Sequence, residues 1–128
     1  MNVHDFDGGV TVENEDELLL RLQLVRNGEQ GAFLLHHDKD YPALAVHLNG
    51  NVAYLHYYPA AHHAGYQAQD MSPANCAKKM KFLQVDGGEA NAFHMPDYTL
   101  VSDETAFAAA IEFFRRAEIP LSISWCGL

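Results

Sequence analysis

Eight histidines, two cysteines and seventeen acidic side chains are the residues of this 128-residue chain whose types could do chemistry. Imidazole is the commonest transition-metal donor, and two adjacent pairs, His36-His37 and His62-His63, invite a test as ligands. On a strand, neighbouring side chains point to opposite faces, so His36 and His37 cannot both reach one ion without a bulge. His62 and His63 could do so from a loop, but no acid or cysteine stands beside them to complete a site. The spacing therefore predicts surface or interface histidines and no metal. Cys76 and Cys126 are far apart and match no zinc or redox spacing, which predicts two buried, unbridged thiols. The chain has no Gly-rich phosphate loop, GxSxG elbow, HExxH, CxxC pair or deaminase signature. No catalytic residue and no cofactor are expected.

The remaining candidates are carboxylates and tyrosines, and both are unevenly spread. Seventeen acids against eight bases give a net charge of −9. Residues 1 to 40 hold nine acids and three bases, whereas residues 41 to 81 hold Asp70 alone against three lysines. That middle stretch carries five of the six tyrosines. A chain this acidic is a poor partner for nucleic acid or an anionic membrane, because both need a basic surface. A cationic protein is the better match: carboxylates meet its Lys and Arg, and complementary fields speed encounter. Tyrosine suits such an interface, since it offers large contact area with few rotors to freeze.

Elements that could position these groups follow from the patterning. Asn14 before Glu15, Asp16 and Glu17 reads as an N-cap with a capping-box acid, followed by Leu18, Leu22 and Val25 at helical spacing and stopped at Gly28. The acids there have a capping role that needs no further function. From Ala32 the period becomes two: strands over Phe33 to His37, Ala43 to Leu48 and Asn51 to Tyr58, the last two joined at Asn49-Gly50. In the second strand Leu44, Val46 and Leu48 share one face and Ala43, Ala45 and His47 the other, which predicts one covered and one partly open sheet face. Pro59 to Asn75 reads as a long loop with a short strand near Tyr66 to Gln69. Met80 to Val85 and Ala90 to Met95 read as a hairpin that adds to the sheet. Ser102 caps a helix whose stripe is Phe107, Ile111 and Phe114, and Pro120 introduces a final strand, Leu121 to Trp125. The expected fold is a single α+β domain over residues 1 to 128, a mainly antiparallel sheet of about six strands with two helices on one face. The first nine residues are acidic and no apolar run nears the ~20 residues of a membrane span, so a cytoplasmic protein without a leader is expected.

This layout resembles a known family. The Asp5-Phe6-Asp7-Gly8 opening, the Asp16-Glu17-Leu18 helix, the Leu44-Ala45-Val46 and Ala53-Tyr54-Leu55-His56-Tyr57 strands, the Ala109-Ala110-Ile111-Glu112-Phe113-Phe114 helix and a closing strand at Trp125 are similar to the first-numbered immunity protein family of bacterial polymorphic toxin systems. The likeness spans most of residues 5 to 126. It implies a non-enzymatic α+β protein that binds a toxin domain, often a nucleic-acid deaminase, and occludes its active site. On that reading Asp5, Asp7, Glu15, Asp38 and Asp40 steer the basic partner, and Tyr54, Tyr57, Tyr58, His62 and Tyr66 anchor it, with Trp125 left to the core. Two other readings stay open at this point: a small-molecule- or metal-binding domain or enzyme, and a regulatory interaction module without a toxin partner.

Overall fold

The computed structural model describes residues 1–23, 30–69, 79–86 and 89–128. The fold is α+β and mainly antiparallel, as expected, but the described residues hold ten strands where about six were expected. They are β1 (Asn2–Asp5), β2 (Gly8–Thr11), β3 (Gln30–His36), β4 (Ala43–Asn49), β5 (Val52–Tyr58), β6 (Tyr66–Gln69), β7 (Met80–Phe82), β8 (Phe93–Met95), β9 (Leu100–Ser102) and β10 (Ser124–Gly127). Eight of them form one sheet in the order β10-β6-β5-β4-β3-β1-β2, with β9 beside β6 on the same edge of β5. The strands β7 and β8 form a separate two-stranded sheet rather than extending the large one.

Helix α1 (Glu15–Gln23) begins where the capping pattern places it: Asn14 Oδ1 accepts from the Glu17 N–H at 2.9 Å, and the Glu17 carboxylate reaches back to the N–H of Glu13 at 2.7 Å. Val25 and Gly28, expected at its end, lie outside the described residues. Helix α2 (Asp103–Arg116) is capped by Ser102, whose Oγ accepts from Thr105 N–H at 3.0 Å. Its buried face is Ala106, Phe107, Ala109, Ala110 and Phe113, so only Phe107 of the expected stripe is buried: Ile111 and Phe114 are half-buried, and Phe113 takes the deep position. Three alanines let the helix backbone lie close to the sheet, and that turns the deeper face toward Phe113. Arg115 and Glu15 join the two helices by two hydrogen bonds, at 2.5 and 2.8 Å.

Both helices pack on one face of the sheet, where Leu18 and Leu22 meet Phe33, Leu35, Leu44, Val46 and Leu55. The opposite face carries a second, smaller cluster in which β7 and β8 bring Phe82 and Phe93 over Tyr54 and Leu100. Asn49 Nδ2 holds that small sheet in place by donating to the Lys81 carbonyl at 2.9 Å.

One element was not anticipated and one expectation is corrected. The first residues form a hairpin, β1 and β2, that extends the large sheet through β1 pairing with β3. Composition hid it, because Val3 is the one core hydrophobic in its two strands and Val10 is exposed. The last strand starts at Ser124, not Leu121: the Leu121 and Ser122 N–H groups are taken by the Glu112 carboxylate, and Leu121 is 67% exposed. Trp125 does pack against the core, with Nε1 donating to the Pro120 carbonyl at 2.7 Å. No helix among the described residues is long and apolar enough to cross a membrane.

Two glycines have backbone requirements of different severity. Gly50 sits at φ +63° in the β4-β5 turn, and a Cβ there would meet nothing within 4 Å. Gly65 sits at φ +88°, where a Cβ would come within 2.5 Å of the Tyr57 carbonyl oxygen and 2.6 Å of His56 Nε2. Gly50→Ala should cost about 1 kcal/mol of unfolding free energy, from the left-handed backbone alone. Gly65→Ala should cost roughly 2–4 kcal/mol, because a backbone clash adds to the same strain. Urea unfolding of the two variants side by side measures the difference.

Candidate functional site

The strand pairings decide what shares the face opposite the helices. Cα partners across a sheet point the same way, so β3, β4 and β5 set three rows there: His36, Ala43 and Tyr58; Leu34, Ala45 and His56; Ala32, His47 and Tyr54. The pairing of β1 with β3 adds His4 beside Leu34. The small sheet of β7 and β8 covers the third row only. Beyond it Ala43 and Ala45, buried between taller neighbours, line a cleft of about 660 Å³. Its walls are His4 and His36 on one side, His47 and Tyr58 on the other, with Asp40, Tyr41 and Asp86 among the residues around it.

The histidines in and beside this cleft are locked by hydrogen bonds whose direction follows from their partners, since a carbonyl can only accept. His36 Nδ1 lies 2.8 Å from the His37 carbonyl and 3.1 Å from that of Lys39, and therefore carries a proton. In neutral His36 the Nε2 is then an acceptor, and His4 Nε2 donates to it at 2.9 Å, with the two rings stacked at 5.1 Å. His56 Nε2 donates to the Ala64 carbonyl at 2.8 Å, so its Nδ1 accepts from the Tyr54 hydroxyl at 2.9 Å. His47 Nδ1 donates to the Leu83 carbonyl at 2.8 Å, which leaves its Nε2 as an acceptor.

Burial sets the protonation of these groups. His47 is 4% exposed, and loss of hydration lowers its pKa to about 4, with the Leu83 carbonyl acting in the opposite sense. Burial also lowers His56, raises the Tyr58 hydroxyl, and raises Tyr54 to about 12. At neutral pH the His47 ring is uncharged. The described residues lining the cleft include two carboxylates, Asp40 and Asp86, and no Lys or Arg.

The ten expected contact residues are brought together only in part. Asp40 and Tyr58 line the cleft. Tyr58 stacks on His56 at 4.3 Å, and Tyr41, which the sequence reading passed over, is 41% exposed at the cleft. Asp38 is exposed nearby beside a smaller depression with His37 and Ala117. Asp7 and His62 are exposed elsewhere, His62 at φ +62° in the loop after β5. Asp5 is buried and bonded inside its own fold, to Arg21 at 2.8 Å and to the Asp7 N–H at 2.9 Å. Glu15 is held below the usual carboxylate range by the hydrogen bonds from Arg115. Tyr54 and Tyr57 are 5% and 7% exposed, on opposite faces, and belong to the two cores. Tyr66 is half-buried on the helix side against Tyr57. Steering acids and anchors alike are therefore fewer than the composition promised.

The opposed directions expected of His36 and His37 are observed: His36 faces the cleft, and His37 Nε2 donates to the Phe113 carbonyl on the helix side at 3.0 Å. His63 Nδ1 accepts from Gly65 N–H at 2.9 Å. Among the described residues no three His, Cys, Asp or Glu side chains are grouped so as to hold a metal ion. Cys126 is unbridged, as expected, but only half-buried, and Cys76 lies outside the described residues. What the arrangement offers is recognition: fixed acceptors, two carboxylates and aromatic walls around a floor of alanine.

The low pKa of His47 has a consequence for stability. The unfolded chain takes up this proton near the ordinary value of 6.5, the folded chain only near 4. Between these pH values the unfolded state binds more protons, so stability is full above about 6.5 and declines toward 4, by roughly 3 kcal/mol at most. His47→Asn keeps a donor for the Leu83 carbonyl and removes the titration. Urea midpoints from pH 4 to 7 should rise more shallowly in His47→Asn than in the parent, and parallel curves would refute the assignment.

No family model matches the chain, and no curated protein matches it.

Proposed function

We propose that this chain is an immunity protein that neutralises a toxin domain by docking against it, without chemistry of its own. The observation that carries the reading is the cleft in the middle of the large sheet: it carries Asp40 and Asp86, is bordered by exposed or half-buried tyrosines, and has no lysine or arginine among its described lining residues. A sheet face is normally covered or evenly polar, and an open concavity at its centre is what a protruding segment of a partner fits. The likeness of the strand and helix patterns to the immunity family supports the same reading, and the net charge of −9 suits a toxin that is itself basic because it acts on nucleic acid.

The contact set is narrower than the sequence suggested. Asp40, Tyr58 and Tyr41 form its centre, Asp38 lies at its edge, and Tyr54 and Tyr57 support it from within the fold. The cleft volume also lies in the range of small-ligand pockets, which favours a small-molecule-binding domain as the second reading.

Co-expression with the product of the neighbouring toxin gene tests the proposal by growth. The parent should rescue growth. Tyr58→Ala should weaken the complex by about 2 kcal/mol, some thirtyfold, if it is a central anchor. Asp38→Asn should slow association and leave dissociation nearly unchanged. Glu104→Gln, in the first turn of α2, should protect as the parent does. Failure of the parent to bind any neighbouring toxin, together with saturable binding of a metabolite in the cleft, would favour the second reading.

A further inference from the structure

The small sheet above the third row is tied to β4 by side chains in place of backbone pairing. Asn49 Nδ2 donates to the Lys81 carbonyl at 2.9 Å, and His47 Nδ1 donates to the Leu83 carbonyl at 2.8 Å. Donors two apart on β4 meet acceptors two apart in reverse order, so the segment from Lys81 runs antiparallel over β4 on a ladder of two rungs. A third rung would join residue 45 to residue 85. Ala45 has no donor, and there the ladder stops: Ala45 and Val85 both line the cleft. Beneath the ladder Phe82 and Phe93 press on Tyr54, and Phe93 meets the His47 ring edge-on at 4.9 Å.

Two strands of three residues are marginally stable by themselves. Among the described residues the aromatic cluster and the two rungs keep them down. Firm attachment comes at one end, just beyond β8, where the fully buried Thr99 donates from Oγ1 to the Pro96 carbonyl at 2.7 Å. A unit laid on side chains opens at lower free energy than the sheet beneath it, because β4 shares ladders of seven residues with both β3 and β5.

Opening exposes His47, which couples the movement to pH. In the closed state burial lowers its pKa to about 4, with the Leu83 carbonyl opposing and His56 acting in the same sense as burial. Protonation leaves the Nδ1–H bond to Leu83 intact; acid acts through the cost of keeping a charged ring out of water. Tyr54, beside the ring, is neutral, its hydroxyl raised to about 12. Lys81 and His94 alternate with Phe82 and Phe93, which sends them to the outer side of the small sheet. Asp40, Asp86, His4, His36, Tyr41 and Tyr58 line the cleft that begins at this ring. Once in water the ring takes up its proton near 6.5, so between 6.5 and 4 the open state binds more protons and falling pH favours it.

We infer that the sheet of β7 and β8 is an acid-opened cover, which lifts from β4 as one unit, uncovers His47 and Tyr54, and lengthens the cleft by the third row. Its use in docking rests on the reading proposed above; the movement itself does not.

The test is amide hydrogen exchange of the free full chain, followed by NMR and expressed as protection factors at pH 7 and pH 5. At pH 7 the hydrogen-bonded amides of β7 and β8 should be protected about tenfold less, or lower still, than those of β4. From pH 7 to pH 5 their protection should fall about twentyfold. His47→Asn, which keeps a donor for Leu83, should abolish that fall. Asn49→Ala removes the other rung and should lower protection of the cover about fivefold at both pH values, leaving the β3 and β4 amides as in the parent. Equal protection of cover and β4, no fall toward pH 5, or the full fall persisting in His47→Asn would each overturn the inference. The exchange needs no partner, so a chain whose cover opens but which rescues no growth loses the docking reading alone. A chain that rescues growth with its cover closed at pH 5 loses the cover alone.

Discussion

The structure depends on one constraint, that β4 is buried on both sides while its side chains alternate. Leu44, Val46 and Leu48 enter the main core under the helices, and Ala43, Ala45 and His47 face the other way, yet all six are buried. The register of β4 with both neighbours is fixed over its full length, because a slip by one residue would put His47 among Phe33 and Leu55 and strip the core of its leucines. The cleft is a product of the same register. Methyl groups at 43 and 45 sit between the larger side chains of β3 and β5, so a groove runs where a bulkier residue would have levelled the face. Packing and site are thus one decision made on one strand.

Histidine has a structural task on that face which explains its abundance. Each of His4, His36, His47 and His56 is tied by a hydrogen bond across strands or to a loop carbonyl, and each ring lies against another aromatic or imidazole ring. A neutral imidazole provides one donor and one acceptor on a rigid plane, which suits a half-covered sheet where an aliphatic side chain would leave backbone carbonyls such as those of Leu83 and Ala64 without partners. His56 connects the buried Tyr54 hydroxyl to the loop at Ala64, and Gly65 has no room for a side chain because that ring and the Tyr57 carbonyl already occupy the space. The polar network is therefore what holds the loop after β5 to the sheet.

Much of this was legible in the sequence, and the failures have identifiable physics. Helix caps at Asn14 and Ser102 were readable because they depend on local side chains reaching N–H groups three residues on. The alternation in β4 announced two faces with different cover. The hairpin β1-β2 was not readable, since its stability comes from pairing with β3, some thirty residues away, rather than from its own apolar content. The same distance hid the site. Its walls come from β1, β3, β4, β5 and the segment after β7, and no local spacing joins His4 to His36 or Tyr58 to Asp86. Grouping the tyrosines by position in the chain placed Tyr54, Tyr57 and Tyr58 together, but a strand sends Tyr57 to the face opposite the other two.

The acids divide by the same logic. Asp5 and Glu15, which composition presents as free charge, are consumed in holding Arg21 and Arg115, and so serve the join between hairpin, helices and sheet. Among the described residues Asp40 has no such commitment. Charges paired within the fold cancel at short range, while the excess of nine negative charges acts on an approaching protein over a screening length of ~8 Å at physiological salt. On the docking reading proposed above, encounter and recognition fall to different groups: the bulk charge would raise the frequency of collision with a basic partner, and the cleft would decide which collisions last.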